Sequence, residues 1–335
     1  MVFKLDENAV LFSLIPFAAF FFTLVFTPVW MRAAKNIKLV GKDINKPNRP
    51  EVPEMGGITV VLGFSFAILL YVGFKIFYFQ TTVNVIELFA LLSSALIVAV
   101  VGMLDDILGW QVGLKQWQKP LLTIPAAIPM MVVNAGQSTM SFPFLGSVDF
   151  GLLYPLLIVP VGIVGAANVY NMFAGFNGLE AGLGVVIFAT LGVISFEKAP
   201  FVALICATMV ASLLAFLKFN WFPARVFAGD TLTYFVGAMA AIVAVLGDME
   251  AAAVLLFLPY FADFAVKWRN KLPGKGWSGA WKNGKLYCPD SGPVHLAQYA
   301  MIWANGVSEK NLVLSFIAFE VLLGFIALFL FSGLV

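Results

Sequence analysis

The sequence predicts an all-α, polytopic membrane protein with about ten transmembrane helices, both termini extracytoplasmic and the active site on the cytoplasmic face. Three observations carry this. The 335 residues are 61% hydrophobic and 11% charged, where soluble domains hold roughly 25% charged residues. The apolar runs have lengths near the ~20 residues that a helix needs to cross a bilayer. Once those runs are taken as spans, the basic residues fall almost wholly on one side. The chain, 1–335, reads as a single integral membrane domain with larger cytoplasmic loops at 33–55 and 269–310.

The first apolar run, 9–31, follows Lys4, Asp6 and Glu7. It lacks the basic n-region and small-residue cleavage site of a signal peptide, so it reads as a span. Runs at 56–77 and 85–104 follow. The run at 117–134 is interrupted by Pro120, Pro125 and Pro129, and the run at 150–167 holds Pro155 and Pro160. Membrane helices tolerate proline where neighbours satisfy the freed carbonyls. The remaining runs are 181–196, 200–219, 231–247, 251–268 and 311–333. Ten spans put both termini on one side. Of the 20 basic residues, only Lys4, Lys75 and Lys198 then share that side; the other 17 lie opposite, which identifies the opposite face as cytoplasmic.

Composition excludes several chemistries. Two cysteines, Cys206 and Cys288, give no disulfide framework. A single histidine, His295, excludes zinc sites built from several His and Cys. The net charge of +2 is uninformative by itself, and loops tied to a membrane do not suit nucleic acid. A transporter is expected to show polar groups near the bilayer midplane and internal repeats. No repeat is evident, and the polar clusters gather at the cytoplasmic ends of the spans.

The densest cluster runs from Asn168 to Glu180. Asn168 and Asn171 share one face of a helix, and Gly175 and Gly178 let the backbone leave it and approach a ligand. The alternative is a glycine-broken helix end with satisfied amides. Asp105 and Asp106 close the third run, where adjacent acids oppose the helix dipole and need a cation. They read either as solvated loop acids or as a divalent-metal or general-base site. Asp230, in Gly229-Asp230-Thr231, is placed as a helix N-cap and can serve a metal as well. Magnesium takes oxygen ligands, often one or two carboxylates plus phosphate oxygens, and Asn171 offers a neutral oxygen. The first loop contributes Lys46, Arg49 and Glu54 ahead of Gly56-Gly57. The last carries six basic residues from Lys267 to Lys285 among Trp268, Trp277, Trp281 and Tyr287. It suits anionic lipid or a pyrophosphate or sugar pocket; a lone histidine such as His295 is more often structural.

On these residues the chain resembles the polyprenyl-phosphate N-acetylhexosamine-1-phosphate transferases. It looks most like the archaeal and eukaryotic dolichyl-phosphate GlcNAc-1-phosphate transferases. The resemblance covers roughly residues 41 to 310 through five motifs, chiefly the Asp105-Asp106 pair, Asn168 to Gly182, and Gly229-Asp230-Thr231. It implies transfer of sugar-1-phosphate from a UDP-sugar to a polyprenyl phosphate at the cytoplasmic face, releasing UMP, with Mg2+ (or Mn2+) as cofactor. By resemblance Asn171 and Asp230 hold the metal, while Gly175 and Asn177 contact uracil and Phe227 stacks on it. Asp105 and Asp106 lie at the lipid-phosphate side, with Lys119, in the pattern starting at Gly113, as the catalytic lysine. Asn168, Lys46, Arg49 and His295 complete the expected substrate-binding set. The last loop matches least: Cys288 to His295 keeps only a proline and one histidine of the family's motifs there.

The expected partners are a UDP-sugar, a polyprenyl phosphate and the membrane, with a homodimer among the assemblies that the resemblance allows. The expected reaction makes polyprenyl-pyrophosphate-GlcNAc, the first step of lipid-linked N-glycan assembly. The alternatives are an undecaprenyl-phosphate enzyme of cell-wall or surface polysaccharide, which the Asn177-Gly178-Leu179-Glu180 version disfavours, and a transporter or inactive lipid-binding scaffold. The compact loops favour a prokaryotic, archaeal cell membrane over the endoplasmic reticulum.

Overall fold

A computed structural model describes residues 7–142, 146–272, 276 and 278–332. Lys4 and Lys275, two of the residues used to sort the loops, lie outside them. Helix α1 (Glu7–Asn36) leads to a short ribbon of β1 (Val40–Lys42) and β2 (Glu51–Pro53). Helix α2 (Gly57–Gly73) runs on through a π turn to Tyr78. Helix α3 (Val85–Val112) breaks at Gly109, whose φ of 72° and ψ of 154° are not helical. Next come α4 (Gln118–Thr123), a 3-10 turn (Ile124–Ala127) and α5 (Ile128–Val132). A second ribbon, β3 (Thr139–Phe142) with β4 (Gly146–Asp149), precedes a π turn at Tyr154–Ile158 and α6 (Val159–Met172). Helices α7 (Leu179–Ser195), α8 (Pro200–Asn220) and α9 (Gly229–Leu246) follow, then α10 (Glu250–Leu256) and α11 (Leu258–Arg269). A third ribbon, β5 (Ala280–Lys282) with β6 (Lys285–Tyr287), leads to α12 (Leu296–Trp303) and α13 (Glu309–Phe331).

Every predicted apolar run coincides with helix, but the runs are not equal. Among the described residues seven helices are long and apolar enough to cross a membrane, or eight if the pair α10–α11, bent by 57°, is one span. The run at 117–134 is the main departure. Pro125 and Pro129 each fall at the start of a new segment, because proline lacks the N–H that would continue the preceding helix. Helix α7 is 17 residues long and falls short of the same length. The three antiparallel ribbons qualify the all-α expectation. All lie in connections between helices, where strand pairing satisfies backbone groups that a helix no longer does.

The helix α9 is the centre. Its residues from Thr231 to Ala240 are all buried, and it packs on α3 and α6, with α2 and α7 also against it. Outer helices turn bulky apolar groups outwards: Phe17 on α1 and Phe325 and Phe329 on α13 are each more than 60% exposed. Such a surface suits lipid rather than water. The ends of α3, α6 and α8 and the beginnings of α7, α9 and α13 meet at one end of the bundle, and the polar residues gather there.

Candidate active site

The site forms where α3 and α6 end and α9 begins. Asp230 is the second residue of α9. Its Oδ1 accepts from Asn171 Nδ2 at 2.8 Å, and that nitrogen also donates to Thr233 Oγ1 at 2.8 Å. Its Oδ2 accepts from Lys119 Nζ at 3.2 Å. The same ammonium is 2.6 Å from Asp105 Oδ2, so one lysine on α4 bridges acids from α3 and α9. Asp105 is held from its other side, where Oδ1 accepts from Leu114 N at 2.8 Å. The break at Gly109 lets the chain turn back to make that bond. Two consecutive helices and one more than 100 positions further along the chain thus converge on one cation between two carboxylates. Lys119 and Asp105 are largely removed from water while Asp230 stays partly exposed, so the attraction is strongest on the Asp105 side, where losing one partner is costly.

Asp106 does something different from its neighbour. Its Oδ1 accepts from Asp230 N at 2.7 Å, and its Oδ2 accepts from Thr231 N at 2.9 Å and Thr231 Oγ1 at 2.6 Å. It therefore caps α9 from another helix, satisfying N–H groups that have no partner within α9. Gly229 permits this approach: with φ at 74°, a Cβ there would lie 2.6 Å from Asp106 Oδ2. The predicted acid pair thus divides into one member facing Lys119 and one fixing the start of α9.

Asn168 belongs to the supports. Its Nδ2 donates to Thr123 Oγ1 at 3.0 Å and to Val164 O at 2.8 Å. Since Thr123 lies one turn beyond Lys119 and bonds its carbonyl at 3.1 Å, Asn168 anchors the helix that presents the lysine. Gly175 and Gly178 have positive φ, 128° and 83°, and form the predicted departure from the helix. Gly175 N donates to Glu180 Oε1 at 2.6 Å, and its carbonyl accepts from Asn45 Nδ2 at 3.5 Å. Phe227 is half-buried; its backbone pairs with Pro53 O and Gly56 N, at 2.8 and 2.9 Å.

Asn177 and Lys46 lie together in a second polar group. Asn177 is buried, with Nδ2 donating to Asp43 Oδ2 at 3.2 Å and Oδ1 accepting from Ala224 N at 2.7 Å. Lys46 pairs with Asp43 at 3.1 Å and with Glu309. Arg49 stands apart, exposed on the turn between β1 and β2. His295 is also placed elsewhere. It is fully buried, stacked on Phe173 at 5.4 Å between centroids, and its Nδ1 accepts from Ala297 N at 3.0 Å to cap α12. Burial, and next the charge of Lys267, push its imidazole well below the usual histidine range, so it is a neutral core residue.

Several residues that had no individual role from sequence alone lie near the site. Glu54 is half-buried beside the site, and burial, then the charge of Asp230, raise its carboxyl above the usual range. Its position before Gly56-Gly57 in a polar loop was the available signal. Asp43 and Glu309 had no sequence signal of their own, and only their partners across the fold bring them to this group. Lys267 donates to Met172 O, a free carbonyl at the end of α6, while pairing with Asp263 at 2.8 Å.

The carboxylate oxygens of Asp105 and Asp230 are of the kind that suits a hard divalent cation; Asn171 faces Asp230 through its Nδ2, so its amide would have to turn over to offer an oxygen to such an ion. Among the described residues no group of three or more His, Cys, Asp or Glu forms a closed metal cage.

Comparison with known proteins is consistent with this geometry. Residues 88–248, which carry Asp105, Asp106, Lys119, Asn171 and Asp230, match glycosyl transferase family 4. A Saccharolobus solfataricus protein, provisionally named a UDP-N-acetylglucosamine--dolichyl-phosphate N-acetylglucosaminephosphotransferase, is 36% identical over 87% of this chain and 88% of its own. A Sulfolobus acidocaldarius protein with the same provisional name is 34% identical over 92% of each. The Dictyostelium discoideum enzyme of that name is 29% identical over 68% of this chain and 64% of its own. With a bridging lysine between acids of two helices, and relatives of this similarity along most of its length, the chain belongs to glycosyl transferase family 4.

Proposed function

We propose that this protein transfers GlcNAc-1-phosphate from UDP-GlcNAc to dolichyl phosphate, giving dolichyl-pyrophosphate-GlcNAc and UMP, the first step of lipid-linked oligosaccharide assembly for N-glycans. The observation that carries it is Lys119 held between Asp105 and Asp230, at 2.6 and 3.2 Å, with Asn171 on the far side of Asp230. The relatives' names suggest the substrates, and a cation held between two carboxylates suits a reaction that brings two phosphate groups together.

The nucleophile is a phosphate monoester, anionic at neutral pH because its second pKa is about 6. One of its oxygens bonds to the β-phosphorus of the UDP-sugar. The bond from that phosphorus to the bridging oxygen breaks, and the oxygen leaves with UMP. No strong base is needed; bringing two anions together is the difficulty, and charge neutralisation is the main contribution. Lys119 supplies a cation that Asp105 and Asp230 hold in place. Asp106 orients the start of α9, and Asn168 orients α4. Asn171 and Asp230 would hold Mg2+, which supplies electrostatic stabilisation of the pyrophosphate.

The finer topology is part of the same reading. The site end faces the cytoplasm, as the 17-to-3 distribution of basic residues supports. The described chain starts in α1 and finishes in α13 at the opposite end of the bundle, which agrees with extracytoplasmic termini and an even number of crossings. Counting α7, the bent pair α10–α11 and the broken segment α4–α5 as crossings gives the ten. A homodimer in an archaeal cell membrane completes the proposal.

The test is UMP release from purified protein with Mg2+, dolichyl phosphate and a panel of UDP-sugars. Release with UDP-GlcNAc is the expected result. Release only with undecaprenyl phosphate or another donor would keep the chemistry and change the pathway. Protein that binds UDP but releases no UMP with any pair would sink the reading.

A further inference from the structure

The second polar group lies where four connections meet: the α1–α2 loop, the α6–α7 turn, the α8–α9 loop and the start of α13. Its centre is Glu309, 4% exposed and absent from the expected site. We infer that Glu309 is a positioning residue for the donor nucleotide, which fixes the Asn177 turn and balances Lys46. This rests on the reading of Asn177 as a uracil contact.

Glu309 Oε1 accepts from Asn177 N at 2.8 Å, and Oε2 takes the Lys46 ammonium. Lys46 is also 3.1 Å from Asp43, 3.4 Å from Asn177 Oδ1 and 4.4 Å from the centre of the Phe222 ring. One cation thus serves two carboxylates, and the helix dipole at the start of α13 offsets the excess negative charge. The contribution of Lys46 is to hold the cluster together.

The cluster also dictates how Asn177 faces. Ala224 N can meet only an oxygen, and Asp43 can meet only an N–H, so the two bonds orient the amide unambiguously. An asparagine amide offers four hydrogen-bond positions, two accepting and two donating. The bonds to Ala224, Lys46 and Asp43 occupy three. The fourth is an N–H, and a donor held in a fixed direction suits a carbonyl of a uracil ring. Glu309 sets this donor through the Asn177 backbone on one side and Lys46 on the other.

The test is Glu309→Gln in the full-length protein in detergent, with UDP binding by calorimetry and steady-state UMP release. Glutamine keeps an oxygen for Asn177 N but cannot balance Lys46. Kd for UDP and KM for UDP-GlcNAc are expected to rise about tenfold while kcat stays within about twofold. A purely structural role would lower the amount of active protein and leave Kd and KM unchanged, and that result overturns the inference. If Glu309→Gln does not fold, the double variant Lys46→Met, Glu309→Met removes both charges together, a replacement that folded proteins often tolerate. It should show the same rise in Kd, and a wild-type Kd overturns the inference. Wild-type protein that fails to bind UDP overturns the uracil reading and this role with it. Wild-type that binds while the variant binds equally overturns the positioning role alone.

Discussion

Replacing Asp106 by alanine separates a cap from a catalytic acid. The substitution removes the acceptor of three hydrogen bonds, from Asp230 N, Thr231 N and Thr231 Oγ1. Hydrogen bonds to a charged group contribute about 1.5–3 kcal/mol each, but Asp106 is only half-buried, so water replaces part of the loss. A cap of this kind contributes up to about 2 kcal/mol by itself, and the third bond brings the expected cost to about 3 kcal/mol. Soluble proteins gain about 2.1 cal/mol/K of unfolding entropy per residue. For 335 residues that scaling turns the loss into a fall in Tm of about 4 °C. Because Asp230 rides on the start of α9, kcat should fall with Tm, by up to about 100-fold if the carboxylate shifts by 1 Å. Asp106→Asn keeps one good acceptor and should lie between, and Thr231→Val should lose about 1 kcal/mol. Thermal unfolding in detergent and UMP release measure the two together. An Asp106→Ala protein with wild-type Tm and no turnover would refute the cap and place Asp106 at the reacting atoms.

Asp105→Asn and Asp230→Asn should each reduce UMP release at least about 100-fold in protein that still elutes as a folded species, and near-normal turnover in either would dismiss the Lys119 bridge as the catalytic core. Asn177→Ala should raise KM for the UDP-sugar more than it lowers kcat; an unchanged KM would rule out the uracil contact. His295 has its imidazole pKa lowered in the fold, so its contribution to stability is present above the unfolded value of about 6.5 and lost as pH falls through it. Tm should therefore fall below about pH 6.5, with a slope of at most about 1.4 kcal/mol per pH unit from this one group, and His295→Asn should flatten that limb. Chelation with EDTA should abolish UMP release and weaken UDP binding, both restored by Mg2+; binding indifferent to the metal would remove Asn171 and Asp230 as its ligands.

The apolar character, the helical runs and the gathering of polar residues at one end of the bundle were legible because they follow from composition and period. A lipid environment rewards long apolar helices and forbids unpaired backbone, so the pattern along the chain speaks directly. Strand ribbons such as β1–β2 were not legible, since three-residue pairings leave no periodicity. Nor was the fate of the run at 117–134, where the prolines were plain but their effect depends on whether neighbours satisfy the backbone. In the site, Asp105 and Asp106 are indistinguishable as adjacent acids on one helix. One residue is 100° of helical rotation, and that rotation alone turns one towards Lys119 and the other towards the start of α9.

By itself the sequence pointed to a membrane protein whose polar residues gather at one set of span ends, and marked Asp105, Asp106, Lys119, Asn171 and Asp230 as candidates for its chemistry. Tertiary structure alone decided which partners those residues meet. It set Asp106 against the start of α9 and Asn168 against Thr123, put His295 in the core, and joined Lys46 and Asn177 to Glu309 across more than 130 positions. The physical reason is that a charge's role is set by its partners within a few ångströms, and those partners come from elements that only folding brings together.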